Sequence, residues 1–532
     1  MRRDFWLICI FVATISFFSE TFVDATTYPK LIALSVLLIG LVLFGILKKK
    51  IKSIFIILIL WNSVFLVYLF SFGFDQKINV LLGYPGRNLG MLSLLMGILA
   101  LHYFKSIHII TSLTLLLISS SAISASYVLA KLIQNAPIIL AQFSYPGPGA
   151  INQNIITLFI SFGVISGLAL LFFKPQVGVL HPNLTIALTA FCLITLWRIG
   201  DLQAYLYLAL MIFVTLILIL IRSKSLRNLI ILIPYVALPA INFFAIRNIE
   251  FLRDKLSFSV FERLEIASIT LKSVSKNPFI FRLPDTTADL EKRTSIQGIE
   301  QYIDNAHNVF LELGIHFGWA PMSFVILLII IVFLVRTIQL NNSQLSKGVK
   351  VYSTSCLLII YTAFYLTILH PITILAVAIS LSSVFSIKIS QKKSSVLRVL
   401  LFEKRFKGNQ KLINFCNRLQ KSKKGTQTIS IILLLLPLFL IADDVQQKIK
   451  FRQMEVNLIA GRTEKEFGIK ELTSMTLTLK DRQYLNYTAK QLADIGDCEA
   501  LREIFLVQED LKISDFPSFV LRQWHSQNCP YQ

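Results

Sequence analysis

Charge is what this chain has least of. Asp, Glu, Lys and Arg make up 15% of its 532 residues, and hydrophobic side chains 55%, for a mean hydropathy of +0.67. A water-soluble domain carries about a quarter charged residues, so an ordinary soluble globular fold is excluded. Acidic residues are the scarcer sign: 30 Asp and Glu against 52 Lys and Arg leave a formal charge of +22. No nucleic-acid-binding motif accompanies that excess. In a membrane protein Lys and Arg gather in cytoplasmic loops instead, so no nucleic-acid partner is expected. Cysteine is sparse, six in all, with no Cys/His spacing of a zinc site. A carboxylate cluster suited to a metal is lacking, and no metal or cofactor is expected. No glycine-rich phosphate loop precedes a basic residue in any inner segment, which argues against ATP. The lack of a convincing internal repeat argues against a transporter.

What the chain does have is apolar runs of roughly 17 to 22 residues, the length that crosses about 30 Å of hydrocarbon. They predict an all-α, polytopic integral membrane protein of about thirteen helices. The spans fall near 5–23, 31–47, 53–72, 88–104, 108–132, 154–173, 180–197, 203–221, 228–246, 309–335, 351–369, 371–387 and 427–442. The first follows Met1-Arg2-Arg3 and has features of a signal peptide or of a retained helix; it is read as retained. The organisation is then nine helices over 1–246, a large outer loop over 247–308, and three helices over 309–387. A basic cytoplasmic segment over 388–426, a last helix over 427–442 and a polar outer tail over 443–532 follow.

Orientation comes from alternation of charge. Between 388 and 424 there are twelve Lys and Arg against one acidic residue, Glu403, and every other connection read as cytoplasmic is also basic. The loop 247–307 instead balances nine basic with nine acidic residues, as suits the outer side. The loops 73–87 and 134–153, rich in Gly, Pro, Asn and Tyr, read as irregular turns. The stretch 394–420 alternates apolar and basic residues and reads as an amphipathic helix on anionic membrane lipids. The tail has helical spacing over 482–495 and 500–511. Only Cys498 and Cys529 fall in it, so an oxidising compartment predicts a disulfide between them.

One segment carries unusual chemistry for its place: Asp304-Asn-Ala-His307-Asn308-Val-Phe-Leu311-Glu312-Leu-Gly314-Ile-His-Phe-Gly318. Ionisable side chains at the entry to a membrane helix are costly to keep and suggest a site. Two arginines share its predicted membrane face. Arg198 ends the seventh span, and Arg263 opens an amphipathic segment running to Asn277-Pro278. Guanidinium groups beside a helix N-terminus would clamp a pyrophosphate, since each pairs with phosphate through two parallel hydrogen bonds. Structural roles stand beside these. Arg198 would anchor its span or pair with Asp201, Arg263 would pair with Glu262 or Glu265, and His307 would be a neutral interfacial histidine capped by Asp304.

The order of these fragments resembles the bacterial O-antigen ligase/polymerase family. That family shows an Arg-containing turn, then a second Arg opening an outer-loop segment that runs to Asn-Pro. A His-Asn-x-x-Leu signature at the start of a membrane helix follows, here His307-Asn308 with Leu311. Gly86-Arg87-Asn88-Leu-Gly90 and Asn152-Gln153-Asn154 are similar to two further entries to spans, so the likeness runs from about residue 80 to 335. Phe279-Ile-Phe-Arg282 stands where the family often has Gly-x-Gly, Trp197 stands where it usually has Ser, and a thirteenth span is added.

The resemblance implies a metal-independent, inverting glycosyltransferase of the bacterial inner membrane with its site facing the periplasm. His307, Arg263 and Arg198 would be catalytic, and Arg87 and Asn308 would bind substrate. The donor would be an undecaprenyl-pyrophosphate-linked glycan. O-antigen ligase acting on lipid A-core is the leading reading. A polysaccharide polymerase or a protein O-oligosaccharyltransferase, with a glycan or protein acceptor, is the alternative. A lipid-linked sugar transporter or flippase ranks below both.

Overall fold

The computed structural model describes residues 27–47, 52–72, 77–82, 90–105, 107, 109–132, 153–172, 180–200, 202–248, 258–280, 293–294, 300–301, 308–366, 371–387, 423–480, 482–510 and 516–529. The expected span 5–23, the basic amphipathic stretch 394–420, Arg87 and His307 lie outside them.

Among the described residues the fold is helical, apart from a two-residue antiparallel pair, β1 (Arg293–Thr294) with β2 (Glu300–Gln301), in the large loop. Helices α1 (Thr27–Leu47), α2 (Lys52–Phe72), α3 (Lys77–Leu82), α4 (Met91–Phe104) and α5 (Ile109–Leu132) open the chain. They are followed by α6 (Gln153–Phe172), α7 (Pro182–Ile199), α8 (Leu202–Leu220), α9 (Lys224–Arg247) and α10 (Phe258–Ser275). Next come α11 (Val309–Phe317), α12 (Trp319–Asn342), α13 (Lys347–Leu366) and α14 (Pro371–Ser386). The chain closes with α15 (Lys423–Ile459), α16 (Lys465–Leu479), α17 (Arg482–Ile495), α18 (Cys498–Asp510) and α19 (Phe516–Asn528).

Eight of the described helices, α2, α5, α7, α8, α9, α12, α13 and α15, are long and apolar enough to cross a membrane, and α1, α4, α6 and α14 hold shorter apolar stretches. By length and composition they make this a multi-pass membrane protein. Their surfaces agree: Phe70, Trp197, Val236 and Phe439 expose most of their side-chain area, which in a soluble protein would be an aggregation liability. The helix buried nearly all round is α13, the axis of the bundle, with α6, α8, α12 and α14 packed on it. Helices α5, α6 and α7 approach closely because their contact surfaces are small residues. A Cβ on Gly163 would stand 2.2 Å from that of Ser120, and one on Gly167 2.0 Å from the Thr189 hydroxyl. Such packing substitutes for the hydrophobic drive that lipid does not supply.

Three expectations are corrected. The loop 73–87 is not wholly irregular, since α3 lies within it and buries Val80 and Leu81. The expected span 309–335 is two helices, broken at Gly318. The expected span 427–442 does not end where the polar residues begin. Helix α15 runs on to Ile459 through Pro437, because its charged positions find partners. Asp444 and Lys448 are both buried and pair at 3.4 Å, Lys448 lies over the Tyr484 ring, and buried Glu455 accepts from Arg452.

The tail is a set of short helices against that extension. Phe451, Leu472 and Tyr484 form one small core, and Ile469, Leu485, Leu492, Leu501 and Ile504 another. Burial, with Glu455 beside it, pushes the Tyr487 phenol up. The expected disulfide joins Cys498 at the start of α18 to Cys529 after α19, 31 residues apart with Cα atoms 5.7 Å from each other. A core this small gains much from a staple, about 3–4 kcal/mol for a loop of this length. Cys498→Ser should therefore lower the tail's unfolding midpoint. Limited proteolysis of detergent-solubilised protein should cut between α17 and α19 in the variant well before it does in the parent. Equal resistance of both would remove the disulfide from the tail's stability.

Candidate active site

The structure builds a junction from α10, α11 and α12. Helix α10 is the amphipathic segment read from the sequence, burying Ile266, Ala267, Thr270 and Val274 on one face and packing on α9 and α11. It ends at Asn277-Pro278, whose backbone enters the break between α11 and α12. The carbonyls of Asn277 and Pro278 accept from the N–H groups of Trp319 and Ala320, at 3.1 Å each, and the Ile280 N–H donates to the Phe317 carbonyl at 3.1 Å. The free N–H groups opening α12 and a free carbonyl closing α11 are thus satisfied by one turn of the chain that follows α10. Irregular backbone buried from water is tolerated only when protein groups satisfy it in this way.

Gly318 makes the stitch possible. Its φ of +90° with ψ 172° belongs to a region essentially restricted to glycine, and a Cβ there would stand 2.5 Å from the Pro278 oxygen. One turn earlier, a Cβ on Gly314 would stand 2.8 Å from both Val274 and Met322. Nine residues make α11 about 14 Å long, under half the hydrocarbon thickness. It is a half-helix seated on α10.

Asn308 is the N-cap of α11. Its side-chain oxygen accepts from the N–H groups of Phe310 at 3.0 Å and Leu311 at 3.1 Å, and the residue is buried. The helix-terminus donors that the sequence offered to an anion are therefore partly used by Asn308 itself. Asn308, Leu311, Gly314 and Gly318 all hold structure in this segment, and His307 lies outside the described residues. His316 lies one turn from Glu312, its Nε2 3.9 Å from a carboxylate oxygen.

Arg263 is half-buried near the start of α10, and Arg198 is exposed on the last turn of α7. Helix α7 packs chiefly on α5 and α6, away from α10. Two contacts nonetheless bring the Arg198 turn to the same end of the bundle as Asn308. Gln203, at the start of α8 just past that turn, donates to the Leu366 carbonyl at the end of α13. Its neighbour Tyr365 packs its ring on Phe310, centroids 4.8 Å apart. Tyr361 completes the group, donating to the Tyr235 carbonyl at 2.9 Å and meeting the Tyr365 hydroxyl at 3.3 Å. These bridging residues belong to no motif that the sequence displays. Their only signals in it are the Tyr361/Tyr365 spacing, which places both rings on one helix face, and a glutamine at a helix start.

No protein family, curated protein or solved structure matches this chain.

Proposed function

We propose that this protein is a glycosyl or oligosaccharyl transferase of the O-antigen ligase kind. It would move an undecaprenyl-pyrophosphate-linked glycan to an acceptor hydroxyl at the outer face of the bacterial inner membrane, with lipid A-core as acceptor. The observation that carries the reading is the stitched junction. A loop helix bearing Arg263 is locked onto the half-helix that His307 precedes, and the Arg198 turn is tied to the same bundle end through Gln203, Leu366, Tyr365 and Phe310. Pyrophosphate is already a good leaving group, so the site has chiefly to neutralise charge developing on it; preorganised guanidinium groups in a dry pocket do this well. His307, as a histidine, is of the residue type suited to removing the acceptor's proton near ambient pH. The bond from the anomeric carbon to the pyrophosphate breaks as that to the acceptor oxygen forms, giving inversion. The disulfide in the tail supports an oxidising outer side for residues beyond α15.

The test is the surface glycan of a strain lacking the gene. The expected result is lipopolysaccharide with no long chains and accumulation of glycan-capped carrier. A single repeat on the core would instead make the protein a polymerase. Normal lipopolysaccharide beside an unglycosylated secreted protein would make it the protein-directed enzyme. Unaltered glycans of every kind would remove the transferase reading.

A further inference from the structure

At the bundle end opposite Asn308, the start of α9, the end of α12 and the start of α13 converge on a group of cations. Lys350 Nζ donates to the carbonyls of Asn341 at 3.0 Å and Ser343 at 2.7 Å, and Arg227 Nη2 donates to the same Asn341 carbonyl at 3.2 Å. Sharing one acceptor holds the two cationic nitrogens within about 6 Å of each other, where like charges repel unless an anion is near. Lys224 is close enough for its charge to reach Lys350. The chain has no Asp or Glu between 202 and 249 or between 313 and 402, so these helices and the connection between α12 and α13 carry no counter-charge. The carbonyls ending a helix are equivalent to about half a negative charge, too little for three cations.

A second observation points the same way. The Asn341 side chain is fully buried, and among the described residues neither its oxygen nor its nitrogen has a hydrogen-bond partner; nor do Arg227 Nε and Asn228 Oδ1. Leaving such groups buried and unpaired is costly. Water would satisfy the amides but would bring no charge. A group that meets all of these needs is anionic, rich in acceptor oxygens, and able also to donate. It has to sit at the ends of three helices of membrane length, which is headgroup depth. We propose that Arg227, Lys350 and Asn341 form a phosphate-recognising site filled by the headgroup of an anionic phospholipid. The site stands apart from glycan transfer and does not depend on it.

The experiment is native mass spectrometry of the purified full-length protein titrated with phosphatidylglycerol, with phosphatidylcholine as the uncharged comparison. Phosphatidylglycerol should be retained and phosphatidylcholine not. The double variant Arg227→Gln/Lys350→Gln should bind it about thirtyfold more weakly, since each cation near a membrane surface contributes about 1 kcal/mol. Arg222→Gln removes an exposed charge just before α9 and should leave binding unchanged. Equal weakening by Arg222→Gln would reduce the effect to general surface attraction and overturn the proposal. If the double variant fails to fold, Asn341→Leu keeps both cations and size, and unaltered lipid retention by it would also overturn the proposal. Millimolar inorganic phosphate, added as a competitor, should not displace the lipid; displacement would make the occupant a free anion and overturn the headgroup assignment.

Discussion

Replacing His307 by Ala is expected to abolish or severely reduce glycan transfer while leaving protein level and membrane insertion unchanged. Losing a general base typically costs about a hundredfold to ten-thousandfold in rate. One polar residue at a helix entry contributes little to inserting a bundle of this size. Folding should survive because the cap of α11 is supplied by Asn308, whose oxygen holds the N–H groups of Phe310 and Leu311. Arg198→Ala and Arg263→Ala should reduce transfer in the same way. Arg198 is exposed at the end of α7, so its removal tests charge rather than packing. Lys at either position should rescue only partly, because a point charge lacks the planar fork of guanidinium. The measurement is transfer to acceptor in cells carrying each variant at matched protein level. Near-normal transfer by His307→Ala would make this histidine structural and remove the proposed base.

Gly318→Ala should be severely damaging for so small a substitution. The backbone there has φ +90°, a conformation that costs a side-chain-bearing residue about 1–3 kcal/mol. The added methyl would also stand 2.5 Å from the Pro278 oxygen. Relief requires withdrawing the Asn277-Pro278 turn, which strips the partners from Trp319 and Ala320. Transfer should fall with the stability of the junction, seen as faster proteolysis of the loop between α10 and α11 and a lower unfolding midpoint in detergent. Asn277→Ala is the informative comparison. The stitch uses the Asn277 carbonyl, not its side chain, so this variant should keep both stability and transfer. If Asn277→Ala lost transfer with its fold intact, the Asn-Pro turn would have a chemical task beyond the stitch.

The lipid site and the disulfide differ in how far sequence could reach them. Cys498 and Cys529 pair on sequence grounds because both fall in one predicted compartment and no other cysteine does. The cations Lys224, Arg227 and Lys350 show in the sequence only as members of two basic loops. That they converge on the Asn341 carbonyl is a property of three helix ends meeting, and Asn341 carries no mark in the sequence of being buried and unpaired.

By itself the sequence determined the helical membrane class and most helix positions. Apolar run length is local: the run expected at 228–246 lies within α9, Lys224–Arg247, despite two internal prolines, because solvent preference is set residue by residue. It also determined the order of Arg198, Arg263, Asn277-Pro278 and His307-Asn308. The tertiary structure decided where local rules stop. Helix α11 ends at Gly318 because carbonyls from a turn about forty residues earlier occupy the break. Helix α15 continues past residue 442 because Asp444, Lys448 and Glu455 find partners on the helix itself and against α17. The joining of the Arg198 turn to Asn308 through Gln203, Leu366, Tyr365 and Phe310 is likewise a matter of packing. Hydrogen bonds and ring contacts between residues far apart in the chain leave no periodicity to read, since each partner alone fits an ordinary membrane helix.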